Sequence, residues 1–277
     1  MNLAIDSMFT LTNGVEMPRF GLGTYKAGEG AEVEHSIEVA LEVGYRSFDT
    51  ASVYGNEVGV GRALRESGIA REELFVTTKV WNDEQGFEET LAAMDRSLSR
   101  LGMNRVDLYL VHWAIPELMS ETWRAMETIL ERGLARAIGV CNFLPHHLER
   151  LSATAEVAPM VDQVEHHPRL QQPALRDYCR DHAIALEAWA PLMRGRIDAI
   201  PELAEIAHHH GKTPAQVSIR WILQHDAITI PKSVHADRIR ENAAVFDFEL
   251  SAEEMSVIDG LDTGERIGQH PDQFGPV

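Results

Sequence analysis

The chain has 277 residues, 44% of them hydrophobic and 25% charged, and carries a formal net charge of −18. These proportions are typical of a globular protein with a large core and exclude a disordered chain, while the acidity argues against non-specific binding to nucleic acid. No segment approaches the ~18 consecutive apolar residues of a membrane span, so we expect a cytoplasmic enzyme with neither a membrane nor a nucleic-acid partner.

The predicted elements begin with a β-hairpin. The segment FTLTNGVEMPRFGLG has Asn13-Gly14 as its turn and leads into a strand at 19–23. Helix-like and strand-like patterns then alternate along the chain. The helix-like segments lie at about 32–43, 57–67, 87–101, 120–132, 146–155, 173–182 and 201–210. The strand-like segments are YRSFDT, LFVTTKV, VDLYLVHW, ARAIGVCNF, MVDQVEHH, IALEAWAP and AITIPKS.

With the first strand these segments make eight strands in a helix-strand alternation, which predicts a single parallel barrel domain over residues 1–277. Two further helices, at 213–226 and 250–261, are additions to this alternation. The segment 262–277 is rich in Gly and Pro and has no periodicity, so we expect a loop that covers the active mouth of the barrel.

Four polar residues stand at or just after the ends of three successive apolar strands. They are Asp49, Tyr54, Lys79 and His112. The carboxyl ends of parallel barrel strands meet at one mouth, where the active sites of such folds lie. We therefore expect these four side chains to converge on an acid-base site.

The four side chains suit the reduction of a carbonyl group, in which negative charge develops on the oxygen. Tyr54 can donate the proton, and the ammonium of Lys79 should lower the pKa of the phenol from its usual value near ~10. A buried Lys79 needs a carboxylate partner, which Asp49 supplies. His112 can hydrogen-bond the substrate oxygen and orient it.

Each of the four residues also has a structural explanation when it is taken alone. Asp49 suits a helix N-cap, and Tyr54 suits a packed loop. Lys79 suits an extended position on the rim, and His112 suits a place in the core. The shared position of all four at one mouth favours the catalytic interpretation.

The motifs around these residues resemble one known family, the aldo-keto reductases. They occur in the same order over nearly the whole chain and read FDTASVYGNEVGVGRAL, TTKVW, DLYLVHW, GVCNF, QVEHHP and IPKSVHADRIREN. The tail LDTGERIGQHPDQF is similar to that of the bacterial 2,5-diketo-D-gluconate reductase group. The resemblance implies a (β/α)8 TIM barrel, a nicotinamide cofactor and carbonyl reduction, with the four polar residues as the catalytic tetrad.

The cofactor is expected near the loop after the last strand, since no Gly-x-Gly-x-x-Gly opens a helix after a strand as it does in a Rossmann site. That loop is Pro231–Arg238, in which Lys232, Ser233 and Arg238 form a cationic pocket suited to a ribose 2′-phosphate. We therefore predict NADPH rather than NADH as the cofactor.

At the other end of the cofactor, Asn142 and Gln163 can hydrogen-bond a carboxamide and Trp189 can offer a flat face to the nicotinamide ring. The resemblance agrees with these roles and places Glu241 and Asn242 at the adenine. The whole predicted cofactor set is Cys141, Asn142, Gln163, Trp189, Leu192, Lys232, Ser233, Val234, Arg238, Glu241 and Asn242.

Three departures from the family pattern bear on how tightly the cofactor is held. Cys141 and Ala190 stand where relatives usually carry serine, and His235 stands where some relatives carry a basic residue. A thiol is a weaker donor than a hydroxyl, so we expect the departures to change affinity more than cofactor identity.

The predicted substrate site consists of Tyr25, Trp81, His112 and Trp113, with the tail 261–277 as a wall. An aromatic cleft with few fixed charges accepts small aldehydes, dicarbonyls and keto sugars. The resemblance favours 2,5-diketo-D-gluconate, methylglyoxal-like compounds or β-keto esters. The sequence does not choose among them and does not fix the direction of the reaction.

Two alternative functions stay open at this point. A lyase or aldolase on the same barrel would use Lys79 as a Schiff-base amine. A non-catalytic nicotinamide-binding sensor, known among relatives, would bind the cofactor without turnover.

Other features of the sequence predict absences. The histidines at 208–210 suit the end of a helix before Gly211. Those at 146–147 and 166–167 lack carboxylates or cysteines at ligand spacing, so no metal is expected. Cys141 and Cys179 form no disulfide framework and are expected to be reduced. The charged outer helix faces permit a monomer and do not exclude a dimer.

Overall fold

The computed structural model of the chain describes residues 3–274. It begins with the predicted hairpin, in which β1 (Met8–Thr10) pairs antiparallel with β2 (Glu16–Pro18). Gly14 turns the chain between them with a φ of +82°, which glycine adopts without steric cost. Its N–H donates to the carbonyl of Leu11 at 2.8 Å, which closes the turn.

Eight parallel strands form the barrel, each paired with its neighbours in chain order. They are β3 (Gly21–Gly23), β4 (Ser47–Asp49), β5 (Phe75–Val80), β6 (Val106–Val111), β7 (Ala135–Cys141), β8 (Val161–Glu165), β9 (Ala185–Trp189) and β10 (Ile228–Thr229). Parallel bridges join Phe20 to Thr229 and Gly23 to Lys232, so the first and last strands close the sheet. The predicted barrel is confirmed.

Ten α-helices accompany these strands within the described residues. They are α1 (Ala31–Val43), α2 (Glu57–Glu66), α3 (Phe87–Leu101), α4 (Met119–Glu131), α5 (Pro145–Ser152), α6 (Pro173–Asp181), α7 (Pro201–His210), α8 (Pro214–Gln224), α9 (Ala236–Ala243) and α10 (Ala252–Asp259). Among residues 3–274, no helix combines the length and the apolar content needed to cross a membrane.

The two additional helices are α7 and α10. Helix α8 contacts β10 and α9, whereas α7 contacts α8 and α10. The interpretation that placed α7 in the alternation and α8 outside it is therefore wrong. Both helices are amphipathic, and periodicity alone does not show which of two consecutive helices packs on the barrel.

The helix ends follow the signals in the sequence. Pro145 and Pro173 occupy the first turns of α5 and α6, where a missing N–H costs little. Gly44 and Gly102 end α1 and α3 in the left-handed conformation that lets their N–H groups bond the last helical carbonyls. These stops end each helix a few residues before the amino end of the next strand.

The hydrophobic core fills the space between the barrel and its helices, where Trp123 and Trp221 are among the largest buried side chains. A second set of buried side chains is polar and lies at the carboxyl ends of the strands, including Asp49, Lys79 and Gln163. Because burying a polar group is costly unless it has partners, this polar cluster marks the candidate site.

Candidate active site

Asp49 and Lys79 form an ion pair inside the mouth of the barrel. Asp49 ends β4, and Lys79 lies near the end of the neighbouring strand β5. Lys79 Nζ donates to both carboxylate oxygens of Asp49, at 2.6 and 2.7 Å, and to the carbonyl of Thr50 at 2.9 Å. Both side chains are buried, so the structure brings the two predicted partners together away from water.

The ion pair determines the charge state of the lysine. Burial by itself would lower the pKa of Lys79, because it disfavours the ammonium. Asp49 and Tyr54 outweigh burial and raise the pKa of Lys79 above its usual value. Lys79 is therefore a fixed cation at neutral pH rather than a free amine.

Tyr54 is held against this cation by a short 3-10 turn, Ser52–Tyr54, that follows β4. Its hydroxyl oxygen lies 3.4 Å from Lys79 Nζ. Burial raises the pKa of Tyr54 above its usual value, and Lys79 offsets only part of this increase. The expectation of a lowered pKa is wrong for the site without substrate, because desolvation of the phenol outweighs the ammonium. Tyr54 keeps its proton and can act as an acid.

His112 follows β6 and faces the same space. The centroid of its ring lies 5.8 Å from that of Tyr54 and 5.0 Å from that of Trp81, and both contacts are edge-on. Burial and, to a smaller extent, the charge of Lys79 lower the pKa of His112 well below its usual range, so the ring is neutral. Its Nδ1 has no hydrogen-bond partner within residues 3–274. A neutral imidazole in this position can hydrogen-bond a substrate oxygen.

Three residues of the predicted cofactor set lie beside the tetrad, at the ends of β7, β8 and β9. Asn142 Nδ2 donates to the carbonyl of His112 at 3.0 Å, and Asn142 Oδ1 accepts from Trp189 Nε1 at 2.9 Å. Gln163 Nε2 donates to Asp49 Oδ2 at 2.8 Å. Hydrogen bonds therefore join the residues predicted to bind the nicotinamide to the tetrad, from Asn142 to His112 and from Gln163 to Asp49.

Cys141, the first departure from the family pattern, lies between the two amides. Its Sγ is 3.1 Å from Asn142 Nδ2 and 3.6 Å from Gln163 Oε1. Burial raises the pKa of the Cys141 thiol well above its usual range, so the group stays neutral. Ala190 has a φ of +55° just after β9, and Leu192 follows it at the start of a 3-10 segment.

The loop after β10 carries cations that lack a carboxylate partner. Within residues 3–274 neither Lys232 nor Arg238 forms an ion pair, in contrast to Arg240 on the same helix as Arg238, which pairs with Glu42 at 2.9 Å. Partial burial lowers the pKa of Lys232, the charge of Glu32 opposes this decrease, and the charge of Lys26 adds to it. We did not predict Lys26 as a residue near the phosphate pocket, although its position just after the first barrel strand indicates that it lies at the mouth. Unpaired cations on an acidic protein fit a phosphate ligand.

The rest of the predicted cofactor set lies on the same loop and helix. Ser233 Oγ accepts from the backbone N–H of His235 at 3.1 Å, at the start of α9, and Val234 is half-buried between them. Asn242 is buried, and the carboxylate of Glu241 accepts from the N-cap hydroxyl of α8 at 2.8 Å. α9 has no side-chain cap, and the first amides of a helix have no partner within it, which suits an anion site beside the unpaired cations.

Aromatic rings border the tetrad on the predicted substrate side. The centroid of the exposed Tyr25 ring lies 5.0 Å from that of Tyr54. Trp113 stacks on Phe274 with centroids 4.1 Å apart, and Trp81 meets Phe274 edge-on at 5.8 Å. The sequence predicted that the tail covers the mouth but did not identify Phe274, since an aromatic residue in an aperiodic tail has no pattern that gives its position. Residues 275–277 of the predicted tail lie outside the described residues.

A buried carboxylate anchors the tail. Glu165, at the end of β8, accepts from the backbone N–H groups of Ile267 at 2.6 Å and Gly268 at 3.0 Å, and lies 3.0 Å from His167 Nε2. A Cβ at Gly268 would lie 2.5 Å from a ring carbon of Trp189, so this glycine permits the close approach. The sequence did not reveal this anchor because the donors are backbone amides.

In two clusters the side chains lie close enough together to hold a metal ion, because carboxylates far along the chain lie beside the histidines. One cluster is His146, His147 and Asp272, and the other is His209, His210 and Glu254. Nδ1 of His147 accepts the N–H of Leu144 at 3.2 Å, so the neutral ring carries its proton on Nε2, which faces Asp272 and is then no ligand. Glu254 accepts hydrogen bonds from both rings of its cluster and from the N–H of Ser251. The absence of a metal stays a prediction.

Comparison with known proteins adds to this geometry. The sequence model described as the Aldo/keto reductase family matches residues 19–263. The glyoxal reductase of Bacillus subtilis (strain 168) is 53% identical over 274 residues, which cover 99% of each chain. The methylglyoxal reductase DkgA of Salmonella typhimurium is 45% identical over 277 residues, which cover 99% of this chain and 100% of the relative.

Solved structures are similar over the same length. A Gox0644 mutant in complex with NADPH has a TM-score of 0.92 at 41% identity, covering 97% of this chain and 98% of that chain. A protein described as a 2,5-diketo-D-gluconic acid reductase B has a TM-score of 0.91 at 36% identity, covering 98% of this chain and 97% of that chain. The barrel and its tail thus occur together in these structures.

Removal of the lysine from the buried pair should strongly destabilise the fold. We expect Lys79→Met to lower the free energy of unfolding by about 3–5 kcal/mol, because Asp49 is left buried and charged without its cation. Lys79→Met combined with Asp49→Leu should recover most of the loss, which urea unfolding followed by circular dichroism measures. Arg180→Met, which removes exposed ion pairs, should have little effect. Additive losses in the double variant would contradict the prediction.

Removal of the tail anchor should expose the tail to proteases. In Glu165→Ala the backbone N–H groups of Ile267 and Gly268 lose their charged acceptor, so we expect trypsin to cleave at Arg266 roughly tenfold or more faster. Mass spectrometry of a limited digest measures the rate. Glu265→Ala, which removes an exposed carboxylate from the same tail, serves as the control. Equal rates in the two variants would refute the anchor.

Proposed function

Because this chain belongs to the aldo/keto reductase family, we propose that it reduces glyoxal, methylglyoxal and similar small carbonyl compounds, with Tyr54 as the proton donor. The enzyme is an NADP-dependent oxidoreductase that acts on small carbonyl substrates. The observation that carries the proposal is the contact of Tyr54 with the buried Lys79–Asp49 pair, beside a neutral His112.

The reaction uses the two groups that face the free space of the mouth. A substrate oxygen between His112 and Tyr54 accepts a hydrogen bond from each of them. The bound cofactor supplies the hydride that the carbonyl carbon receives. As negative charge develops on the oxygen, Tyr54 transfers its hydroxyl proton to it, which completes the alcohol.

The ion pair stabilises what the proton transfer leaves behind. The hydroxyl oxygen of Tyr54 lies 3.4 Å from Lys79 Nζ, so the ammonium stabilises the phenolate that forms until a proton returns from solvent. Asp49 keeps Lys79 charged throughout. The pair therefore does not ionise Tyr54 at rest, since burial keeps the phenol protonated, but it makes the loss of the proton less costly.

We assign the cofactor to the mouth between β7 and α9. The residues that hold it are Cys141, Asn142, Gln163, Trp189, Leu192, Lys232, Ser233, Val234, Arg238, Glu241 and Asn242. Asn142 and Gln163 supply amide groups for the carboxamide, and Trp189 supplies the flat face for the ring. The unpaired charges of Lys232 and Arg238 favour a cofactor with a 2′-phosphate, which NADPH has and NADH lacks.

The substrate pocket is formed by four uncharged aromatic residues: Tyr25, Trp81, Trp113 and Phe274. Trp113 and Phe274 stack on each other, and no charge on these four residues selects an acidic or basic substrate. A small dicarbonyl suits such a pocket best. Keto sugars such as 2,5-diketo-D-gluconate and β-keto esters are the next candidates, since they need the tail to move aside.

The alternative lyase mechanism conflicts with the state of Lys79. A Schiff base forms from a neutral amine. Lys79 Nζ makes three strong hydrogen bonds, and its pKa is raised, so the neutral amine is scarce at neutral pH. A non-catalytic sensor would have no use for a tyrosine held against this cation. Both alternatives are therefore weaker than the reductase.

We also propose that the enzyme works in the cytoplasm, as expected from its sequence, and as a monomer, which its sequence permits. Cys141 and Cys179 are both free and buried, which suits a reducing compartment. The tetrad and the cofactor set come from a single chain, so the site needs no second copy to be complete.

Tyr54→Phe should abolish turnover and leave cofactor binding intact. Loss of a general acid lowers kcat by roughly 10²–10⁴-fold, while the ring of Tyr54 still fills its place. Absorbance at 340 nm with methylglyoxal measures turnover, and quenching of protein fluorescence measures NADPH affinity. Tyr178→Phe, a change on α6 away from the mouth, is the control. Turnover within twofold of the unaltered enzyme would reject the mechanism.

Lys232→Met should weaken NADPH binding selectively. Loss of one charge-assisted contact to a phosphate costs about 1.5–3 kcal/mol, so we expect the KM for NADPH to rise roughly tenfold to a hundredfold while that for NADH stays unchanged. Arg240→Met, on the same helix as the proposed site but paired with Glu42, is the control. A ratio of NADPH to NADH efficiency near one in the unaltered enzyme would disprove the phosphate pocket.

A further inference from the structure

Glu187 is a buried acid that the proposed mechanism does not use. It lies on β9 with no exposed surface. Its Oε2 accepts a hydrogen bond from Gln163 Nε2 at 2.8 Å. Its Oε1 has no hydrogen-bond partner within residues 3–274. Burying a carboxyl group costs folding free energy, so its position beside the tetrad indicates a function.

The two carboxyl groups around Gln163 fix the orientation of its amide. The amide nitrogen has two hydrogens, and Asp49 Oδ2 and Glu187 Oε2 accept one each, both at 2.8 Å. Among residues 3–274, the carbonyl oxygen of the amide has the thiol of Cys141, a weak donor, as its single hydrogen-bond partner, at 3.6 Å. With both N–H groups engaged, the oxygen is the part of Gln163 left to meet a ligand.

We propose that Glu187 is a positioning residue that holds the amide of Gln163 with its carbonyl oxygen toward the carboxamide N–H of the cofactor. This inference rests on the proposed function, in which Gln163 contacts that carboxamide. Without Glu187, one N–H of Gln163 has no acceptor, and the amide is free to turn toward water or the ligand. Cofactor affinity therefore depends on a residue that does not touch the cofactor.

The charge of Glu187 gives this role a pH dependence. Burial raises the pKa of Glu187 to about 8, and the neighbouring charge of Asp49 adds to the increase, while Lys79 acts in the opposite direction. Cys141 is the other titratable group that faces it. Glu187 is thus neutral at pH 7 and gains a negative charge as the pH rises through about 8. That charge favours the oxidised cofactor, whose nicotinamide ring is cationic.

Two substitutions separate the hydrogen bond from the burial of a side chain. Glu187→Leu keeps the volume but removes the acceptor, and we expect the Kd for NADPH to rise roughly tenfold. Glu187→Gln keeps an acceptor oxygen, and its Kd should stay within about threefold of the unaltered enzyme. Fluorescence titration measures both, and thermal melting shows that each variant is folded. Equal Kd values for Glu187→Leu and the unaltered enzyme, or equal losses in both variants, would overturn the proposal.

A double variant tests whether Glu187 acts through Gln163. If it does, Gln163→Leu weakens NADPH binding, and adding Glu187→Leu weakens it no further. Additive losses would show that Glu187 acts by another route and would overturn the proposal. If Gln163→Leu binds NADPH normally, the proposed cofactor contact is itself wrong and the role of Glu187 falls with it. These two failures are distinguished by the single variant of Gln163.

The ratio of NADP⁺ to NADPH affinity supplies a readout that a purely structural residue would not move. Between pH 7 and 9 we expect this ratio to rise by roughly fivefold in the unaltered enzyme, as Glu187 ionises. In Glu187→Gln the ratio should stay constant, because no charge appears at this position. A rise of the same size in both proteins would contradict the assignment of this titration to Glu187.

Discussion

A lysine ammonium without any exposed surface is the constraint on which the mouth of the barrel depends. Lys79 is wholly buried, and its hydrogen bonds end on the carboxylate of Asp49 and the carbonyl of Thr50, both supplied by the adjacent strand β4 and the residue after it. A shift in the pairing register between β4 and β5 would leave a buried cation without partners, at a cost of several kcal/mol. The turn that carries Tyr54 starts directly after these partners, so the same constraint places the acid.

The polar network continues from this pair across the barrel. Gln163 on β8 reaches Asp49 on β4, and Glu187 on β9 reaches Gln163. β8 and β9 are direct neighbours in the sheet, whereas β4 and β8 lie four strands apart, so the closure between β3 and β10 brings Gln163 to Asp49. The acid and the side that faces the cofactor are consequently one hydrogen-bonded unit, so a change of charge at one end is felt at the other.

The sequence was sufficient for the barrel and for the four polar residues, because alternating apolar strands place their carboxyl ends at one mouth whatever the details of packing. It failed where burial decides the outcome. Whether the pKa of Tyr54 is raised or lowered depends on desolvation, which the spacing of residues in the sequence does not reveal. Glu187 looked like any acid in a strand, since its partner lies on another strand. Phe274 and the exchange of roles between α7 and α8 likewise depend on tertiary contacts.

The anchor of the tail bears on how such an enzyme acquires new substrates. Glu165 binds the tail through the backbone amides of Ile267 and Gly268, and every residue except proline provides such an amide. Of the two anchored positions, Gly268 is restricted because a Cβ there would collide with Trp189, and Ile267 packs its side chain against the core. The ring of Phe274, which takes no part in this anchor, can therefore change while the anchor stays in place. Variation in specificity is in this way separated from the residues that carry out the chemistry.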